Sequence, residues 1–211
     1  MGALLACPSM PNSNLNDSSK SVMKNFILHV KQYVPLNEVE VEILQSFVKV
    51  IKVKKKSFLL EEGKICKANY FVETGCLRMY FINIKGSEQI THFALENWWL
   101  SDHMSLTMQI KSQFYIQAIE ESTIIALEQH REEELFKSLP QLEKYFRILI
   151  QRAYAAAQMR VKFFHDYSKE ESYRHFIAQF PSFAQRIPQY MLASYLGLTP
   201  EYLSELRKKT T

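Results

Sequence analysis

The residues best able to do chemistry lie together near the C-terminus, between Gln189 and Lys208. With Gln189 as the first position of a helix-turn-helix, Ala193 falls at the fifth, where two helices cross and only a small side chain fits. Gly197 falls at the ninth, in a turn that wants a positive φ. Leu192, Leu196, Leu198, Leu203 and Leu206 take the inward positions, Thr199 can cap the second helix and Pro200 sits in its first turn. The second helix, Pro200 to Lys209, then turns Glu201, Tyr202, Ser204, Glu205 and Lys208 outward, a face suited to base edges and phosphates in a major groove. A glutamate can accept from cytosine N4, but two glutamates repel phosphate. Affinity must therefore rest on Arg186, Arg207, Lys208, Lys209 and helix N-termini. The expected DNA-contacting set is Arg186, Gln189, Thr199, Glu201, Tyr202, Ser204, Glu205, Arg207 and Lys208. The bland alternative is a helix pair that only packs.

Charge agrees with the placement. Residues 1–150 hold 17 Lys/Arg and 17 Asp/Glu, whereas residues 151–211 hold 9 and 5, so the net charge of +4 sits in the last third. Such asymmetry points to a polyanion-binding end, although +4 is also common on solvated surfaces. Other chemistry has little support. The six histidines include no His-x-His pair of the kind a metal-holding β-barrel enzyme uses. Cys7, Cys66 and Cys76 form no Cys-x-x-Cys pair, so neither zinc nor a four-cysteine iron–sulfur cluster is expected. An odd cysteine count without a convincing secretory signal implies a reducing, cytoplasmic setting. The opening Met1 to Cys7 imitates a lipoprotein signal, but it lacks a charged leader and its apolar stretch is short. No apolar run reaches the ~18–20 residues that cross a bilayer. With 211 residues, 47% of them apolar and 23% charged, the chain can bury one large core or two small ones.

The elements that must position the C-terminal residues follow from changes of period. Residues 1–22, rich in Ser, Asn, Asp and Pro, read as a flexible tail. Phe26, Ile27, Val30 and Val34, then Val41, Leu44, Phe47 and Val48, predict two short helices around Pro35. From Val48 to about Ala126, short β-branched and aromatic runs alternate with turns. Gly63, Gly75 and Gly86 recur at intervals of 12 and 11, the beat of a barrel or sandwich, each expected at positive φ. After Pro140, Leu139, Leu142, Phe146, Leu149, Ala153 and Ala156 step by 3 and 4 along one long helix to about Phe164. Leu142, Phe146, Leu149, Ala153 and Ala156 are the expected homodimer interface, the alternative being a helix packed on its own barrel. Ser168-Lys169-Glu170-Glu171 is a capping box that opens a helix ending before Pro181.

In this order the elements resemble the Crp/Fnr family of bacterial transcription regulators, from Met23 to the C-terminus. Glu61-Glu62-Gly63, Tyr70 to Arg78, and Gly86-Ser87-Glu88 look like the turns and strands of its cyclic-nucleotide-binding β-roll. Ala193 to Ser204 looks like its DNA-binding helices. The resemblance implies an α+β chain: an N-terminal double-stranded β-helix, or cyclic-nucleotide-binding-like jelly-roll, effector domain (23–139); a long dimerisation helix (140–166); and a C-terminal winged-helix-like helix-turn-helix domain (167–211). It also implies a palindromic operator in double-stranded DNA, a homodimer, RNA polymerase as a partner, no membrane, and a small-molecule effector. Cyclic-AMP binders of the family carry Gly-Glu followed by Arg-Ser in a phosphate cassette. This chain aligns Ser101-Asp102 and then Ser112-Gln113, with Lys111 beside them. Without the arginine's bidentate fork, cyclic AMP is not the expected ligand, and the effector-contacting set is Ser101, Asp102, Lys111, Ser112 and Gln113. No metal, haem or iron–sulfur cluster is expected. Recognition helices of the family usually carry arginine where Glu205 stands, so no operator sequence transfers. After Thr211 no β-wing follows, which should weaken backbone contacts.

A second reading, a ligand-binding or scaffold protein whose helix-turn-helix no longer reads DNA, draws on Glu201, Glu205 and the short C-terminus. Three smaller signals have everyday explanations. The lysines at 49, 52, 54, 55 and 56 could form a second DNA or partner contact but are expected to protect an edge strand; Trp98 and Trp99 could line the effector pocket, with core packing expected for at least one; Cys66 and Cys76 could sense redox state but are expected to be inert buried thiols.

Overall fold

The structure, a computed structural model, describes residues 22–210. The expected flexible tail therefore falls, except for its last residue, outside the described residues. These divide into two compact units, residues 22–81 with His92–Leu149, and Ile82–Thr91 with the chain from Ile150 onward.

In the first unit Pro35 separates α1 (Lys24–Lys31) from α2 (Glu38–Phe47), as expected. A reciprocal box opens α2: the Glu40 amide donates to Asn37 Oδ1 at 2.9 Å and the Asn37 amide to the Glu40 carboxylate at 2.8 Å. Between Val48 and Glu128 run β1 (Val48–Val53), β2 (Phe58–Leu60), β3 (Ala68–Thr74), β4 (Leu77–Ile82), β5 (Glu88–Ala94), β6 (Trp99–Leu100), β7 (Tyr115–Ala118) and β8 (Ser122–Glu128). They form two four-stranded sheets, in the orders β1-β8-β3-β6 and β2-β7-β4-β5, the expected jelly-roll sandwich. Two helices absent from the sequence reading also occur here, α3 (His103–Met108) and α4 (Gln129–Ser138). Six residues are too few to show a helical period, and in α4 only Leu135 is buried. As expected, β1 is an edge strand, with exposed lysines on and after it; Lys49 pairs with Glu128 at 2.7 Å.

The first sheet is apolar on both faces. Tyr70, Val72, Ile124 and Ala126 turn into the sandwich, against Leu77, Met79, Ile116 and Ala118 of the opposite sheet. Phe71, Ile125 and Leu127 turn the other way, onto α1, α2, α4 and the start of α5 (Gln141–Asp166). A buried carboxylate pins α1 to this sheet. The two oxygens of Glu73 accept the amides of Asn25 and Phe26 at 2.7 and 2.8 Å. Burial pushes the Glu73 carboxyl above its ordinary range, and the two amides pull it back.

This packing occupies the first half of the expected dimer seam within the chain itself. Leu142 is fully buried in its own chain, and Phe146 and Leu149 pack partly buried against the same cluster. The second face of the sheet needs an apolar cover, and the first turns of α5 supply it. Ala153 is exposed and Ala156 half-buried. Tyr145, wholly buried beside Leu142, accepts a hydrogen bond from Trp99 Nε1 at 2.8 Å, and its hydroxyl lies 2.8 Å from His29 Nδ1.

The second unit holds α5 from Ile150, then α6 (Lys169–Gln179), α7 (Pro181–Arg186), α8 (Gln189–Leu196) and α9 (Pro200–Thr210). The capping box at Ser168 forms as expected, with the Glu171 amide donating to Ser168 Oγ at 3.2 Å and the Ser168 amide to the Glu171 carboxylate at 2.8 Å. Pro181 ends α6 and also begins α7, a use of proline at a helix start that the sequence reading did not include.

Gly63, Gly75 and Gly86 all have positive φ, and Gly75 carries a second constraint. At φ +100°, a Cβ there would stand 2.2 Å from Ser122 Oγ and 2.7 Å from Ser122 Cα, whereas at Gly63 it would meet nothing within 4 Å. Gly75→Ala is therefore expected to lower the unfolding free energy by about 2–4 kcal/mol, and Gly63→Ala by only about 1 kcal/mol. Urea denaturation of both variants checks the difference.

Candidate functional site

The expected effector residues are set by the turn from β6 into α3. Asp102 is the N-cap of α3 and accepts the Ser105 amide at 3.2 Å through Oδ1. Its other oxygen accepts the Ser112 hydroxyl at 2.7 Å, and Ser112 Oγ in turn accepts the Phe114 amide at 3.0 Å. Ser105 ties the same loop inward, donating to Ile110 O at 2.6 Å and accepting the Cys66 amide at 2.9 Å. Gln109, in the left-handed region at φ 54°, ends α3 and lets the chain turn back toward Ser112. Ser101, Asp102, Ser105 and Ser112 are all buried. The structure thus joins Asp102 to Ser112 and leaves Ser101 beside them in sequence, while Lys111 and Gln113 lie exposed.

Chemically this loop is an acceptor surrounded by hydroxyls. A buried carboxylate needs donors, and here serine and a backbone amide provide them where a phosphate-binding arginine would reverse the charge. Beneath the loop the sandwich is filled by Leu60, Cys66, Leu100, Leu106 and Ile116. Burial pushes the Cys66 thiol above its ordinary range, which makes it a poor nucleophile, and Cys76 is equally enclosed. Among the described residues no group of three or more His, Cys, Asp or Glu could hold a metal ion, and no helix is long and apolar enough to cross a membrane.

In the second unit the C-terminal geometry follows the sequence closely. Ala193 is fully buried; Gly197 ends α8 at φ 67°, with the Leu198 amide donating to Ala193 O at 2.8 Å. Thr199 Oγ1 accepts the Tyr202 amide at 3.2 Å, and Pro200 is the first residue of α9. Leu192, Leu198, Leu203 and Leu206 are buried, with Met191 beside them, whereas Leu196 is only half-buried. On α9 the side chains of Glu201, Ser204, Glu205, Arg207 and Lys208 are exposed and Tyr202 is half-buried. The last turn carries Arg207, Lys208 and Lys209, and Arg186 is exposed at the end of α7. Gln189 departs from expectation. Its amide nitrogen is turned inward, at 3.5 Å from Ala184 O, and its oxygen is buried.

Two groupings escaped the sequence reading. Ser194 Oγ donates to Glu88 O at 2.8 Å and accepts the Ile90 amide at 2.9 Å, and Gln89 Nε2 donates to Ser194 O. Nearby, the Arg160 guanidinium lies 4.3 Å from the centre of the Tyr195 ring and donates to the carbonyls of Tyr195 and Thr91. The Trp99, Tyr145 and His29 cluster is the other. Their partners are 46 to 116 residues apart, so no local pattern announces them.

With this geometry in place, comparison with known proteins is informative. A model of the cyclic nucleotide-binding domain matches residues 50–138. The anaerobic regulatory protein of Haemophilus influenzae is 26% identical over 185 residues, covering 81% of this chain and 70% of that protein. The c-di-GMP responsive global regulator CLP of Xanthomonas campestris superposes with a TM-score of 0.68 at 10% identity, covering 82% of this chain and 91% of its own. FixK2 of Bradyrhizobium japonicum does so with a TM-score of 0.64 at 17% identity, covering 77% and 83%. At such identities these two structures attest the fold.

The loop network makes a specific demand. Ser112→Ala removes the donor to Asp102 Oδ2 and leaves that buried oxygen short of a partner. The unfolding free energy should fall by about 1–3 kcal/mol, read from urea denaturation with far-UV circular dichroism unchanged.

Proposed function

We propose that this chain is a transcription regulator of the Crp/Fnr type, which binds a palindromic duplex as a homodimer under the control of a small effector. The observation that carries the reading is the intact helix-turn-helix: a buried Ala193, a left-handed Gly197 and a capped α9 with its polar side chains outward and its last turn basic. Arg186, Arg207, Lys208 and Lys209 supply the phosphate contacts, and Tyr202, Ser204 and Glu205 face the bases. Gln189 contributes through its backbone at the start of α8.

The dimer forms along α5, one step round from the seam that spacing alone picks out. Ile150, Tyr154, Val161 and Phe164 are 49%, 66%, 60% and 81% exposed, and with Ala157 they repeat at intervals of 4, 3, 4 and 3. That is a heptad stripe without a partner in its own chain, next to the small exposed Ala153 and Ala157 that let a second helix approach. The effector acts at the β6–α3 loop. Asp102 and the hydroxyls of Ser101 and Ser112 favour a ligand that offers hydrogen-bond donors, and the exposed Lys111 is a poor substitute for an arginine toward a cyclic phosphate. RNA polymerase is the partner through which such a regulator acts.

The competing reading keeps the fold and loses DNA, and the exposed Glu201 and Glu205 favour it. Selection of bound duplexes from a random pool separates the two. A palindromic consensus is expected, with affinity falling about a hundredfold or more between ~50 and ~200 mM salt; no enrichment at either salt, with cell extract added to supply an effector, overturns the proposal. Val161→Glu should convert dimer to monomer by light scattering and abolish palindrome binding together. A monomer that still binds the palindrome would sink the coupling between the two.

A further inference from the structure

We infer that Tyr145 is the positioning residue through which movement of the effector loop reaches the long helix, an inference that rests on the regulator reading above. The indole N–H of Trp99 can only donate, so the Tyr145 oxygen is its acceptor at 2.8 Å. The same hydroxyl is hydrogen-bonded to His29 Nδ1, also at 2.8 Å, the tautomer of His29 deciding which of the two donates. Tyr145 is thus held between a residue of the effector segment and a residue of α1.

Its position on α5 makes this bond matter. Within that 26-residue helix only Leu142 and Tyr145 are buried, and of these two it is Tyr145 that has a directional attachment. Leu142 makes apolar contact, which tolerates sliding; a hydrogen bond at 2.8 Å does not. Trp99 pairs with Phe71 in β3 and stands three residues before Asp102, so a ligand that takes the carboxylate from Ser112 and Ser105 pulls on the segment that carries the indole. The surroundings are aromatic, with Trp99 against Phe71, Phe146 and Phe26 at centroid distances of 5.4, 5.3 and 5.8 Å. Among these rings the bond is either made or broken, which gives α5 two discrete attachments.

The test is hydrogen exchange on the full chain, read by mass spectrometry, for wild type, Tyr145→Phe, Trp99→Phe and Ile125→Val. The first two break the same bond from opposite ends while keeping an aromatic ring, and either suffices if the other fails to fold. The third trims the same core without touching the bond. Exchange across residues 150–166 should quicken about fivefold or more in both bond variants and stay within about twofold in Ile125→Val. Faster exchange confined to residues 23–31, 97–101 and 142–149, or equal quickening in Ile125→Val, overturns the inference and makes Tyr145 merely structural. With a selected duplex as probe, both bond variants should also shift Kd by about fivefold or more. An unchanged Kd overturns the coupling to DNA. Failure of the wild type to select any duplex defeats the regulator reading instead, and the exchange result still judges the helix.

Discussion

The constraint on which this chain depends is a sheet that must be covered on both faces. β8 and β3 alternate between two apolar environments, Ile124, Ala126, Tyr70 and Val72 into the sandwich, Ile125, Leu127 and Phe71 onto a layer of helices. Ordinary antiparallel sheets can leave one face to water. This one cannot. The second face recruits α1, α2, α4 and the first turns of α5, and it does so with aromatic side chains that carry polar handles. Burying Tyr145 and His29 beside the half-buried Trp99 is tolerable because their polar atoms meet one another. Glu73 follows the same rule, its carboxylate buried against the amides that open α1.

That constraint also explains what the sequence disclosed and what it concealed. The strand region was legible because β-branched runs, turn residues and three glycines change the period at Val48 and again after Pro140. The helix-turn-helix was legible because its requirements are local: a small residue at 193, a left-handed residue at 197 and a cap at 199 lie within one short segment. The role of the long helix was not. Leu142, Phe146 and Leu149 keep a helical period whether they face a partner or their own sheet, and spacing does not say which. Only the distribution of exposure separates the covered stretch before Ile150 from the open stripe after it. Contacts such as Trp99 to Tyr145, or Ser194 to Glu88, join distant parts of the chain and leave no mark on either local pattern.

The turn from β6 into α3 shows how one side chain sets the chemistry of a loop. A guanidinium beside Asp102 would pair with it and leave donors free for a phosphate. A serine at 112 satisfies the carboxylate with one hydroxyl and brings no charge. The remaining positions then settle into a network closed on itself, with Ser105 bridging Cys66 and Ile110 and Asp102 capping α3. On the proposed reading a ligand would have to compete for a carboxylate that is already served, its donors matching a charge-assisted hydrogen bond and a helix cap at once. That requirement favours a molecule with two or more donors over an anion.

The acidic residues on α9 bear on why a long helix and a helix-turn-helix belong in one chain. On the proposed reading Glu201 and Glu205 would oppose the phosphates that Arg207, Lys208 and Lys209 attract, so a single α9 would bind DNA weakly. Weak heads become useful when two are joined, because the second contact is then intramolecular and its effective concentration replaces the missing charge. The exposed heptad from Ile150 to Phe164 is a means of joining them, and it lies on the same continuous helix whose first turns hold Tyr145. A regulator built this way depends on geometry more than on intrinsic affinity. On the proposed reading, losing the dimer would remove more binding than losing any one basic side chain.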